Sequence, residues 1–304
     1  MNRNINYALT KRNHLLVFAA LVAVSVVFWW DSVVATFRLG LSNEAYTHIL
    51  LILPLSAGLI YIDSKQWRSK NWFATRSARG LGAGLLILAL GLGCYARWGS
   101  VIDIDLRLTL GVLGLVIWWI ASVIVCFGIE AFRRFLFPLC FLFLMVPLPG
   151  QVLIRIVEFL QLQSALAARI LFRAVGIRAT QDGIMLYIPN LDIEVARECS
   201  SIRSSLMLVV STLVLAHLFL RSWWRKLLLV ALAVPLSVAK NGLRIVTIGA
   251  LGTCVDPGYL NGNLHHRGGI VFFGIAVFVM VVLLWILRRS EPRITESSSP
   301  ALSG

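Results

Sequence analysis

Long apolar runs separated by short, mostly basic stretches set the rhythm of this chain. Eight of them approach the roughly 20 residues that a membrane-crossing helix needs. They lie at 14–30, 46–62, 80–96, 106–127, 132–146, 204–220, 227–250 and 269–287. The fifth is short and closes with Pro147-Leu148-Pro149-Gly150, a firm helix stop. Segment 147–203 is too polar for a plain span and too apolar for a free linker. In its first half Arg155, Glu158, Arg169 and Arg173 recur at helical spacing against Leu153, Ile156, Leu160 and Ile170. That predicts an amphipathic helix lying on the outer membrane surface. The second half alternates: Ile184, Leu186 and Ile188, a Pro189-Asn190 turn, then Leu191, Ile193 and Val195, as in a short β-hairpin.

The pattern therefore predicts an all-α polytopic membrane protein of about eight transmembrane helices, with an outer-face amphipathic helix and a hairpin-like segment. A single integral membrane domain is expected over residues 1–289, with 147–203 inserted between spans five and six. The polar tail 290–304 is expected to be disordered and cytoplasmic.

Composition strengthens this. Hydrophobic residues make up 59% of the 304 and charged ones only 14%, more apolar surface than a soluble fold of this size hides. A net charge of +14 raises nucleic-acid binding, but no basic patch alternates with aromatics, so none is expected. The cations cluster between the apolar runs instead. Sixteen Lys and Arg residues fall on one side, among them Arg3, Lys11, Arg12, Lys65, Arg133, Arg134, Arg225, Arg288 and Arg289. The short segments opposite carry six, which puts both termini in the cytoplasm. No small-residue cleavage site follows the first run, so it reads as a retained span.

Three polar islands break the apolar background, all on the outer face in this topology. They are Glu198-Cys199-Ser200-Ser201-Ile202-Arg203, Asn241-Gly242-Leu243-Arg244, and His265-His266-Arg267-Gly268-Gly269. A thiol, a guanidinium and an imidazole are the parts of an acyl-transfer site: nucleophile, oxyanion partner and base. Cys199 precedes the sixth span, where the positive end of the helix dipole favours a thiolate, and Arg203 follows one turn on. The plain alternative is a structural cysteine, the role expected of Cys94, Cys126 and Cys140 within apolar runs. Arg244 interrupts an apolar run that continues beyond it, which points it into the bundle, whereas Lys240 is expected to snorkel to the headgroups. His265 and His266 stand in a loop before the last span, where an exposed histidine is the plain alternative to a base. Cys254, in the same outer loop, is either a bystander or an oxidation partner for Cys199. No CxxC pair or His/Cys cluster suggests a metal, and no cofactor is expected.

At these residues the chain resembles the exosortase/archaeosortase family of membrane-embedded cysteine transpeptidases. The family's Cys-Ser/Ala-Gly-Ile/Leu-Arg-like, Asn-x-x-Arg and His-x-x-x-Gly motifs match Cys199–Arg203, Asn241 with Arg244, and His265 with Gly269, with Phe273 following. Supporting matches are Tyr46-Thr47-His48 with Pro54, Phe143 through Pro149, Ile184 through Pro189, and Val195-Ala196. Ser201 stands where the family usually has glycine, and spacing to Gly269 favours His265 over His266 as the imidazole.

The resemblance implies a protease or transpeptidase of the bacterial inner membrane, with its site at the periplasmic face. Its partners would be membrane lipids and secreted proteins ending in a C-terminal sorting signal: a short motif such as Pro-Glu-Pro, a transmembrane helix and a basic tail. Catalysis would rest on Cys199, Arg244 and His265, and substrate binding on Arg197, Ser200, Arg203 and Asn241. The rival reading is a transporter or lipid-linked glycan enzyme that holds an anion on Arg244, Lys240 and Arg203. That rival leaves Cys199 without a task.

Overall fold

The computed structural model describes residues 2–65, 76–99, 103–189, 191–195, 202–254 and 269–291. The expected tail beyond Glu291 lies outside them. The chain divides into two compact units, Met1–Glu158 and Phe159–Gly304, and the division falls inside one helix.

The first unit holds α1 (Asn2–Phe28), α2 (Trp30–Ser42), α3 (Ile49–Lys65), α4 (Arg76–Trp98), α5 (Ile104–Arg134), α6 (Leu136–Phe141) and the start of α7 (Gly150–Ala174). Helices dominate because no water reaches the hydrocarbon core, so each backbone N–H and C=O there must bond within its own segment. α5 is the most buried of the candidate spans. α4 lies close along it because Gly114 offers no side chain: a Cβ there would stand 3.0 Å from the Ala89 carbonyl oxygen. Two tryptophans of α5 fasten α1, with Trp118 Nε1 donating to the Leu21 carbonyl and Trp119 Nε1 to Ser25 Oγ, both at 2.9 Å. α5 breaks at Gly128, whose φ of +86° suits glycine alone, within the gap expected between spans four and five.

Six helices among the described residues are long and apolar enough to cross a membrane, and the total reaches eight if each of two bent pairs counts as one span. The first expected run, 14–30, lies almost wholly in α1, and a helix that was not expected, α2, follows after a 73° turn at Trp29. The end of the fifth is built from α6 and a 3₁₀ turn over Leu142–Met145, and the separate helix expected beyond it, α7, follows after a 94° bend. Pro147 and Pro149 stop the chain there, as expected, and the carbonyls of this loop are held. Tyr46 Oη donates to the Leu148 carbonyl at 3.0 Å and Thr109 Oγ1 to that of Pro147 at 2.9 Å. Two of the supporting motifs, Tyr46-Thr47-His48 and Pro147-Leu148-Pro149, are thus in contact.

The second unit contains the rest of α7, strands β1 (Thr180–Asp182), β2 (Met185–Ile188) and β3 (Leu191–Glu194), and helices α8 (Ile202–Phe219), α9 (Trp223–Cys254) and α10 (Gly269–Arg289). The antiparallel sheet runs β1-β2-β3, with Leu186 opposite Gln181 on one side and Ile193 on the other. The expected hairpin is β2–β3. β1 was not expected, because Thr180-Gln181-Asp182 has no apolar alternation; its signal is Gly183 (φ +57°) opening a two-residue loop to β2. The buried face of the sheet, with Leu186, Ile188 and Val195, packs on Ala165, Ala168 and Phe172 of α7 and on Ile245 and Val246 of α9.

Gly242 sets how closely α9 crosses α7. A Cβ at that position would lie 2.7 Å from Ala167 Cβ and 3.1 Å from both the Ala167 carbonyl carbon and the Ala168 nitrogen. These atoms are fixed to the α7 backbone and have little freedom to yield.

At the far end of α9 a reciprocal lock joins it to α10. Glu291 Oε1 accepts from the amides of Arg221 (2.9 Å) and Ser222 (3.0 Å), covering orphan N–H groups at the α9 N-terminus. The buried Arg225 donates to the carbonyls of Leu287 (3.2 Å) and Ser290 (2.7 Å) at the α10 C-terminus, and its guanidinium stands 3.9 Å from Glu291. Burial would raise the Glu291 pKa. The Ser222 and Arg221 amides and the charges of Arg225 and Arg221 outweigh it and hold the carboxyl below its ordinary value.

Two outcomes follow. Gly242→Ala should destabilise the detergent-solubilised protein by about 1–3 kcal/mol through overpacking. Gly84→Ala, where a Cβ would meet nothing within 4 Å, should leave it unchanged. Equal melting of the two variants would refute the close crossing. A depressed carboxylate stabilises the fold fully above its ordinary pKa and loses that effect as pH falls through the folded-state value. Glu291→Gln should therefore melt below the parent at pH 7, with the gap closing under acid. A gap that stays constant with pH would rule out the ionised lock.

Candidate functional site

α9 carries its polar residues at Ser237, Lys240, Asn241 and Arg244, spaced so that all four share one helix face. That face is buried: Asn241 is 0%, Lys240 6% and Arg244 8% exposed, although the flanking sequence is apolar. Opposite stands the first turn of α8. Ser237 Oγ donates to Ser205 Oγ at 2.5 Å, and Lys240 Nζ donates to Ser204 Oγ. Four side chains thus form a polar seam between α8 and α9. Gly242, on the other side of α9, seats the same turn against α7 and fixes its rotation.

The burial of Lys240 overturns the expectation that it snorkels to the headgroups. Snorkelling needs a path to water along the helix surface, but the first turn of α8 covers this position and supplies a hydroxyl acceptor. Arg244 is buried, as its place inside an apolar run implied. Arg203, in the first turn of α8, is exposed. Cys199, Arg197 and Ser200 lie outside the described residues, as do His265 and His266. Cys254, expected in the outer loop, is the last residue of α9. Of the three cysteines expected in the core, Cys126 is buried, Cys94 is half-buried, and Cys140 is exposed, which corrects its assignment.

The chain entering the Cys199 segment is held by its backbone. Val195 donates its amide to the Ile184 carbonyl at 3.0 Å and accepts at its own carbonyl from Gln161 Nε2 at 2.8 Å. Sequence reasoning missed Gln161, a buried amide on the face of α7 that meets the sheet. It also missed Ser204, Ser205 and Ser237. Their signal was available: Ser237 lies one turn before Lys240 and Asn241, and two adjacent serines open the helix that pairs with it.

Chemically, the seam sets two basic side chains one helical turn apart in a dry environment, where an anion or a developing oxyanion would be held strongly. Among the described residues, no three His, Cys, Asp or Glu side chains group so as to hold a metal ion.

No curated protein and no solved structure matches this chain. The profile of the family described as transmembrane exosortase (Exosortase_EpsH) does match, over residues 29–282, a stretch that takes in all of α2 through α9 and most of α10. The chain therefore belongs to the transmembrane exosortase family, a group linked to sorting at the membrane.

Proposed function

We propose that this protein is a cysteine transpeptidase or protease of the bacterial inner membrane. Its substrates are secreted proteins with a C-terminal sorting signal: a Pro-Glu-Pro-type motif, a transmembrane helix and a basic tail. Both termini are cytoplasmic and the site faces the periplasm. The observation that carries the reading is the buried Lys240-Asn241-Arg244 face, bonded through Ser204 and Ser205 to the helix that starts three residues after Cys199. Connectivity alone keeps Cys199 within about 14 Å of Val195 and about 11 Å of Ile202, both of which belong to this unit.

In this mechanism the Cys199 thiolate adds to the carbonyl carbon at the sorting motif, and Arg244 holds the resulting oxyanion. Collapse breaks the C–N bond, His265 gives the leaving amine its proton, and a thioester remains on Cys199. An acceptor amine, or water, then attacks the thioester, the C–S bond breaks, and the acceptor's proton passes to His265. Asn241 and Ser200 bind the substrate backbone. Among the described residues β3 is an edge strand, and it leads directly into the Cys199 segment, a geometry that favours capture of an extended sorting peptide by strand addition. The exposed Arg203, with Arg197, pairs with a glutamate in that peptide.

The same two buried cations would also serve the rival, a transporter or lipid-linked glycan enzyme holding a phosphate or carboxylate. Cys199→Ser separates the readings. It should abolish cleavage of a co-expressed reporter carrying the sorting signal, and mass spectrometry of the parent should find a thioester on Cys199. Arg244→Gln should slow cleavage about 10²–10³-fold, the typical cost of losing one oxyanion donor. Full processing by Cys199→Ser would sink the thioester reading and leave the anion-binding one.

A charge swap tests the peptide contact. Arg203→Glu should impair cleavage of the glutamate-bearing motif, and a reporter with Lys in place of that glutamate should recover it. Equal loss on both reporters would remove Arg203 from peptide recognition.

A further inference from the structure

We propose that the cavity between α1, α3, α5 and α6 of the first unit is a binding site for an anionic phospholipid. An acyl chain occupies the cavity and Arg134 and Lys65 hold the phosphate. The cavity measures about 320 Å³ and its walls are almost wholly apolar, built by Phe18 of α1, Ile60 of α3, Val123 and Phe127 of α5, and Leu139 of α6. Its polar lining comes from His14 and Ser64. Such a space beside lipid accepts a hydrocarbon chain without desolvating any polar group.

What selects the headgroup is the charge at one end. Ser64 lines the cavity, and Lys65 is the next residue, its ammonium 4.4 Å above the Tyr61 ring. Arg134 crosses from α5 to donate to the Asp63 carbonyl at 3.5 Å, which brings its guanidinium beside the same turn of α3. Ala131 and Phe135 both line the cavity, and Arg134 directly precedes Phe135 on the chain. Arg12 precedes His14 by two residues on α1. Among the described residues, Lys65 and Arg134 are both exposed, and Asp63 and Glu130 are the carboxylates on the neighbouring turns of α3 and α5. An apolar slot ending in exposed cations between spans is the chemistry that recognises a lipid phosphate with its chain. None of these residues belongs to the acyl-transfer machinery, so the inference stands whether or not that reading holds.

The test uses the full chain, purified in detergent, with dioleoyl phosphatidylglycerol and dioleoyl phosphatidylcholine as probes, and native mass spectrometry as the readout. Phosphatidylglycerol should be retained at least about fivefold over phosphatidylcholine, roughly one kcal/mol of charge selectivity. Lys65→Gln with Arg134→Gln should bring that ratio near one, while Arg288→Gln with Arg289→Gln, a basic cluster elsewhere, should leave it intact. Val123→Phe, which fills the cavity, should reduce retention of both lipids. The proposal is overturned if the Lys65/Arg134 pair leaves the ratio unchanged, or if the Arg288/Arg289 pair lowers it as much. Undiminished binding by folded Val123→Phe would likewise remove the cavity from the account.

Discussion

Two basic side chains buried one turn apart on α9 are the constraint around which the second unit is built. Ionisable groups in a low-dielectric interior are costly, and Lys240 and Arg244 add mutual repulsion to that cost. Like charges on neighbouring turns of one helix face repel more strongly in such an interior than they would in water. An arrangement of this kind persists only when the surrounding packing leaves no cheaper conformation. Here the hydroxyl of Ser204 takes the ammonium, the Ser205–Ser237 bond ties the same two helices, and Gly242 locks α9 against α7. An anion arriving between the cations would relieve the repulsion. The oxyanion role proposed for Arg244 would draw on that relief.

Gly242 shows how a residue with no chemistry of its own enters a functional motif. In the Asn-x-x-Arg pattern it occupies a position without a specified type, yet a Cβ there would collide with the α7 backbone. If α9 moved outward, Asn241 and Arg244 would move with it, since all three lie on one turn and a half of helix. Packing on one side of α9 thus determines where the polar groups stand on the other. The sheet adds to the same anchor, because Gly249 of α9 accepts Phe172 and Ile193 in close contact.

The apolar runs were enough to find nearly every helix, because in lipid the helix is the simplest way to satisfy the backbone, and length then fixes the span. The break at Gly128 and the stop at Pro147-Leu148-Pro149 were legible for the same local reasons. The turn at Trp29 was not, because it carries neither glycine nor proline and rests on tertiary contacts, with Trp29 packed between Phe28 and Trp118. Lys240 fell to the same limit. Hydropathy says that a lysine within an apolar run is costly, but not whether a neighbouring helix covers it. For Arg244 the apolar residues continuing on both sides left inward burial as the better reading, and it is buried. The roles of Cys199 and His265 rest on sequence, since neither lies within the described residues.

The anchoring of the Cys199 segment bears on how such a nucleophile could work at all. A thiolate on a free loop would sample many geometries, and acyl transfer gains part of its rate from holding reactants in one. Here the segment 196–201 is short and both ends are fixed by different means. Val195 is bonded through both its amide and its carbonyl, to Ile184 and to the buried Gln161. Ile202 begins a helix whose first turn is stitched by Ser204 and Ser205 to the Lys240 face. A six-residue stretch between two such anchors loses much less entropy on adopting a reactive conformation than an untethered loop would.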